Sequence, residues 1–136
     1  SDSRSLLVSG PDHVYRLITG DMVLGRGTTV ITYPDGDLAA YFLSLDVLEW
    51  LVTTRHVIEL LPGHGPIVTD PAAWLSFYRT HRKDRLDQIR SALAAGAGTP
   101  AEVVAQVYAD VDRSLWPAAE QSVQAQLEYL EREQSR

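Results

Sequence analysis

The chain has 136 residues, is 45% hydrophobic and 22% charged, and carries a formal net charge of −6 from 12 basic and 18 acidic side chains. That length supports one domain, or one and a half small ones, around a buried core, and the apolar fraction with three Trp excludes a wholly disordered chain. The absence of Cys excludes a disulfide framework and thiolate metal ligation, so any metal must be held by carboxylates and by the four histidines, His13, His56, His64 and His81.

A Cys-free chain fits a reducing cytoplasm, which is the expected location. No apolar run approaches the roughly 20 residues that cross a bilayer, and Ser1-Asp2-Ser3-Arg4 lacks the basic-then-apolar order of a signal peptide. Residues 1–70 hold four arginines against nine carboxylates, whereas residues 71–136 hold eight basic against nine acidic side chains. Such a chain is not a general nucleic-acid binder, although the second half has room for a local basic face.

Ser5–Val8 and Val14–Ile18 are β-rich runs around the turn Ser9-Gly10-Pro11-Asp12, which predicts an antiparallel hairpin ending at Thr19-Gly20-Asp21. Residues 22–34, loosened by Gly25 and Gly27, read as a loop with a short extended piece at Thr29–Thr32. After Pro34-Asp35-Gly36, Asp37 suits the N-cap of a helix whose apolar positions are Leu38, Tyr41, Phe42, Leu45, Leu48 and Val52. His56–Leu61 reads as a further strand, stopped by Pro62-Gly63-His64-Gly65-Pro66. Strand, loop, helix, strand is a layered α/β pattern.

Asp70-Pro71 is an N-cap with Pro at the first helical position. Trp74, Phe77, Tyr78, His81, Arg85, Ile89 and Leu93 predict the buried side of a long helix that ends at Ala95-Gly96-Ala97-Gly98. Thr99-Pro100-Ala101-Glu102 is a capping box, followed by Val103, Val104, Val107 and Tyr108 as a buried stripe. A last helix begins near Ser114–Pro117, uses Ala119, Val123, Leu127 and Leu130, and frays over Glu131–Arg136. The expected division is an α/β segment over residues 1–70 and an all-α, three-helix segment over 71–136, with the long helix starting on the first and ending in the second.

Asp21 in Thr-Gly-Asp and His64 in Pro-Gly-His-Gly-Pro each come directly after a predicted strand, where α/β folds place ligands. A His between two Gly is uncrowded and can approach a metal or substrate closely. Neither motif has the spacing of a known metal signature by itself.

Together, Thr19-Gly20-Asp21-Met22-Val23-Leu24-Gly25, the helix after it and Leu60-Leu61-Pro62-Gly63-His64-Gly65-Pro66 resemble the second half of the metallo-β-lactamase fold. Ser1-Asp2-Ser3 resembles the residues immediately after a Gly-His-Thr motif of that superfamily. The helical segment, with His81-Arg82-Lys83-Asp84-Arg85 and Ser122-Val123-Gln124-Ala125-Gln126-Leu127, resembles the winged-helix-like extension of a subfamily that includes a mitochondrial endoribonuclease. The resemblance implies a partial αββα sandwich followed by a winged-helix-like domain. It also implies metal-dependent hydrolysis of an ester, amide, thioester or phosphodiester, RNA among the candidates, at two zinc ions. Asp21 would bridge the ions and His64 would bind one of them.

The superfamily's His-x-His-x-Asp-His loop is absent from this sequence, and the Gly-His-Thr histidine would precede Ser1. A catalytic zinc usually has three protein ligands. The chain therefore reads as half of the site, with zinc binding weak or absent and activity lacking when it is alone. The expected partner is the missing N-terminal half of the fold or a second copy, because an apolar sheet face and an edge strand are otherwise uncovered. The alternative is a non-catalytic module for protein or nucleic-acid contact.

Other residues read more plainly. His81 belongs to the core of the long helix, His13 to an exposed turn, and His56 to a strand start. Trp74, Tyr108 and Trp116 read as core, while Trp50 ends its helix facing whatever covers it. Arg79, Arg82, Lys83 and Arg90 could touch phosphate, but Asp84 and Asp87 beside them favour a salt-bridged surface.

Overall fold

The structure, a computed structural model, describes residues 4–135. The expectation placed on Ser1-Asp2-Ser3 lies outside the described residues. In chain order the elements are strand β1 (Leu6–Ser9), strand β2 (Tyr15–Gly20), helix α1 (Leu38–Arg55), strand β3 (Glu59–Pro62), helix α2 (Pro71–Ala94), helix α3 (Pro100–Val107), a 3-10 turn (Arg113–Leu115) and helix α4 (Trp116–Gln134). This is the mixed α/β pattern with trailing helices that the sequence predicts. No helix among the described residues is long and apolar enough to cross a membrane. Two compact units are present: residues through Thr29 with Tyr41–Thr80, and Val30–Ala40 with His81 onward.

In the first unit, β1 and β2 form the predicted antiparallel hairpin, and β2 pairs with β3 in parallel. Registers Leu7↔Leu17 and Leu17↔Leu60 make one cross-strand row, and Leu17 and Leu60 are fully buried. Leu45, Leu48, Val52, Leu75 and Tyr78 are buried in the same unit. Because side chains alternate along a strand, the row Leu6–Ile18–Leu61 faces the other way, and Leu6 is 56% exposed. Beside it, Arg16 bridges Glu59 across β2 and β3 at 2.9 Å.

Asp37 caps α1 as predicted, its Oδ1 accepting from the amides of Ala39 at 2.8 Å and Ala40 at 3.2 Å. The expected strand start at His56 is corrected. His56 has φ +51 and terminates α1, and the Val57 amide reaches back to the Val52 carbonyl at 3.2 Å, as in a Schellman stop. The strand begins only at Glu59. Thr29–Thr32 form no strand.

Asp70 caps α2 by accepting from the Ala73 amide at 3.1 Å. The buried side of α2 is rotated from the predicted one. It runs Leu75, Tyr78, Arg82, Leu86, Ile89 and Ala92, while Phe77 is 46% exposed. Aromatic residues at 74 and 77 point to a face one position away, and a buried Arg82 has no apolar signature. Gly96, at φ +101, ends the helix with Ala97 bonded back to Ala92.

The second unit contains the capping box at Thr99 and Glu102, with Val103 and Val104 fully buried. Its core also takes Ile31, Leu38, Val123, Ala125 and Leu130. Ser122 and Gln126, both polar, are buried, and Gln126 Nε2 donates to the Ser122 carbonyl at 3.0 Å. Helix α4 continues to Gln134, so Glu131–Gln134 are helical in the structure. Trp74, Tyr108 and Trp116 are half-buried rather than core, and Trp50 lies inside α1, 58% exposed.

This architecture makes two measurements informative. If the Leu6–Ile18–Leu61 row needs cover, this chain alone self-associates, and sedimentation velocity of Leu6→Glu shows less association than wild type; a monomeric wild type contradicts this. Stability also falls with acid in two stages. Burial, then the charges of Arg82 and Arg85, hold the His81 imidazole below its usual range. Hydrogen bonds hold three carboxyls low: Glu102 by the Gly98 amide and the Thr99 side chain and amide, Asp112 by the Ser114 side chain and amide, and Asp12 by Arg16. In each case the unfolded chain binds the proton more readily. The melting temperature therefore drops first below about pH 6.5 and again below about pH 4, and His81→Gln flattens only the first drop.

Candidate metal and active site

The end of β2 builds the first half of the site. A register shift between Ile18 and Gly20 leaves Thr19 as an extra residue, fully buried, with Oγ1 donating to the Val23 carbonyl at 2.8 Å. The Met22 amide donates to the Thr19 carbonyl at 3.1 Å, which closes a turn with Asp21 at its exposed corner. Thr29 Oγ1 then donates to the Asp21 carbonyl at 2.6 Å and ties the far end of the loop to the same corner.

The loop has no regular structure, and helical side chains satisfy its backbone instead. The Leu24 amide donates to Tyr78 Oη at 2.8 Å, and Trp74 Nε1 donates to the Leu24 carbonyl at 2.8 Å. Tyr41 Oη donates to the Met22 carbonyl at 3.1 Å. These anchors escape a sequence reading, because an aromatic residue on a helix face signals only core.

The end of β3 builds the second half. The Gly63 amide donates to the Gly20 carbonyl at 2.8 Å, and the Gly25 amide donates to the His64 carbonyl at 2.9 Å. The two turns touch backbone to backbone. A Cβ on Gly25 would overlap the Pro66 backbone, and one on Gly63 would sit 2.9 Å from Asp21 Oδ1.

The result is convergence. His64 Nε2 lies 3.5 Å from Asp21 Oδ1, and the two side chains are 77% and 63% exposed. Two donors bound at ~2.1 Å to one tetrahedral ion stand ~3.4 Å apart, so this separation suits adjacent corners of a metal site. The pair fits a metal as part of a ligand set. Among the described residues, no group of three His, Asp or Glu completes one.

The remaining histidines do not join. His13 is exposed in the hairpin turn with φ +57, His56 ends α1, and His81 is half-buried on α2. Of the basic residues considered for phosphate, Arg79 is held by Glu49 at 2.9 Å and Asp46 at 2.6 Å, and Arg90 by Asp87 at 2.7 Å and Glu133 at 2.9 Å. Arg82 is buried.

The fold is that of metallo-β-lactamase-fold proteins. Residues 99–135 match the family model described as the β-lactamase associated winged helix domain. Over 86% of its length the chain is 32% identical to the β-lactamase-like protein 2 homolog of Drosophila melanogaster, covering 38% of that protein. It is 37% identical, over 70% of its length, to the atrochrysone carboxyl ACP thioesterase of Aspergillus chevalieri, covering 31% of it. The crystal structure of a metallo-β-lactamase family protein from Thermus thermophilus superposes with a TM-score of 0.70, at 21% identity, over 87% of this chain and 37% of that one. The chain belongs to the metallo-β-lactamase fold and corresponds to a C-terminal portion of it. It spans under two fifths of the length of the relatives it matches.

Gly25→Ala tests the packing that creates the site. The added methyl meets backbone, not a side chain that can swing away, so a cost of about 1–3 kcal/mol is expected in denaturant unfolding. The His64 ring resonances should also shift away from those of wild type. An unchanged stability would refute the close approach.

Proposed function

We propose that this chain contributes Asp21 and His64 to the metal site of a metal-dependent hydrolase, with further ligands supplied by chain outside residues 4–135. The observation that carries this reading is the 3.5 Å approach of a carboxylate and an imidazole from the ends of two parallel strands. It is supported by hydrolases named among the relatives, a thioesterase and a probable metallo-hydrolase.

Asp21 and His64 would hold the metal; an oxygen and a nitrogen donor accept zinc, the ion proposed, among other divalent transition metals. Metal bound there supplies Lewis acidity to a hydrolytic step. Thr29 pins the backbone of Asp21, and the bare Gly63 leaves space for its carboxylate beside His64. The high exposure of both side chains leaves room for substrate at the same rim. The same reading gives the apolar row Leu6–Ile18–Leu61 its cover, the remainder of the fold.

An ester or thioester is the preferred substrate over RNA. In the helical unit Arg90 and Arg132 are engaged by carboxylates, Arg85 lies over the Tyr108 ring at 4.3 Å, and Arg113 lies over Trp116 at 5.3 Å. Cations shared with neighbouring carboxylates and rings offer less to a phosphate backbone than an open basic face would.

The test compares full-length wild type with Asp21→Asn and His64→Ala on a thioester and on an RNA oligonucleotide. Loss of thioester turnover by more than about a hundredfold, the upper end of what losing an outer-shell partner costs, is expected for both variants. This chain alone should bind zinc far more weakly than nanomolar. Turnover retained by both variants, or nanomolar zinc binding by the chain alone, would overturn the assignment. RNA cleavage with no thioester cleavage would move the substrate to phosphodiesters.

A further inference from the structure

Two glycine-flanked turns meet at the rim, and each presents a single side chain: Gly63-His64-Gly65 and Gly25-Arg26-Gly27. They are joined by the Gly25 amide to the His64 carbonyl at 2.9 Å, and a Cβ on Gly65 would sit 2.9 Å from the Arg26 amide nitrogen. Chains hydrogen-bonded in this way run about 5 Å apart. Arg26 and His64 are therefore neighbours across one backbone layer, a distance an extended arginine side chain exceeds.

The turn that carries Arg26 is fixed on both sides. Leu24 is held by Tyr78 and Trp74, and Thr29 is held on the Asp21 carbonyl. Between them Gly27, at φ +62, takes the left-handed conformation that folds the chain back. Arg26 is thus the apex of an anchored loop.

Its charge is uncommitted. Arg16 in the same unit is bound by Asp12 and Glu59, and Arg79 by Asp46 and Glu49. Arg26 is exposed and has no carboxylate or ring partner among the described residues. The carboxylate at the other end of its loop, Asp21, faces His64 instead. A guanidinium left open beside a donor pair is a fork suited to a carboxylate or phosphate group.

We infer that Arg26 is a specificity-determining residue that takes an anionic group of the substrate while the reacting centre lies at Asp21 and His64. The inference rests on the hydrolase reading above. An exposed charge contact acts on ground state and transition state alike, so it appears in KM and weakens with salt.

The experiment uses the full-length protein, wild type, Arg26→Gln and Arg26→Lys, with 4-nitrophenyl acetate as the neutral ester and mono-4-nitrophenyl succinate as the anionic one. Arg26→Gln should raise KM for the anionic ester about five- to tenfold, leave kcat within about twofold and leave the neutral ester unchanged, with Arg26→Lys in between. Inorganic phosphate and succinate are also titrated against each protein, followed by the His64 ring and Arg26 side-chain resonances. Weaker binding of either anion in Arg26→Gln supports the subsite and says which group it takes. Equal effects on both esters, or unchanged binding of both anions, overturns it. If wild type hydrolyses neither ester, the ester-substrate reading fails, and the anion titration still decides whether Arg26 binds anions.

Discussion

The Gly25 amide and the His64 carbonyl, 2.9 Å apart, form the contact on which the candidate site depends. Strands β2 and β3 are parallel, so both end at the same edge of the sheet, and the loops after them emerge together. Parallel pairing alone would leave the loops free to splay. The hydrogen bond closes them, and it forms only because Gly25 has no Cβ to strike the Pro66 backbone. One pairing thus brings a carboxylate and an imidazole, distant in sequence, within 3.5 Å.

The same constraint explains why the loop after β2 needs side chains from helices. Its amides and carbonyls have no ladder partners, and a buried polar group left unmatched costs about 1–3 kcal/mol. Tyr78 and Trp74 answer that demand at Leu24, and Tyr41 does so at Met22. Each ring fills apolar space while its tip holds a backbone group. Packing of the unit and placement of Asp21 are consequently one problem with one set of residues.

Local chemistry makes some of this legible in the sequence. Asp37, Asp70 and the Thr99–Glu102 box announce helix starts through their capping oxygens, and each caps where expected. The Gly-Pro-Asp turn gives the hairpin. Legibility fails where tertiary context overrides pattern. Arg82, Ser122 and Gln126 are polar yet buried, so no periodicity reports them. His56 occupies a left-handed position that Gly usually takes, and a β-rich neighbourhood disguises the helix stop. The meeting of Asp21 with His64 is legible only from two motifs matched as a pair, since no spacing rule links them. Tyr78, Trp74 and Thr29 carry no signal as loop anchors, because an anchor is defined by a partner far along the chain.

A two-donor cluster and a partly exposed apolar row share a physical origin on the hydrolase reading. The row Leu6–Ile18–Leu61 and the side chain of Asp21 belong to strands of one sheet or to the turn that ends them. A segment that packs on that row lies against the sheet whose strands β2 and β3 lead into the donors, so covering the sheet and completing the ligand set become a single docking event. Separate solutions would need a second anchor for the incoming ligands, at a rim where both donors are mostly exposed. Hydrophobic burial, worth roughly 25 cal/mol per Å² of apolar surface, is then what fixes the remaining ligands in place, while the glycine-built turns fix the first two.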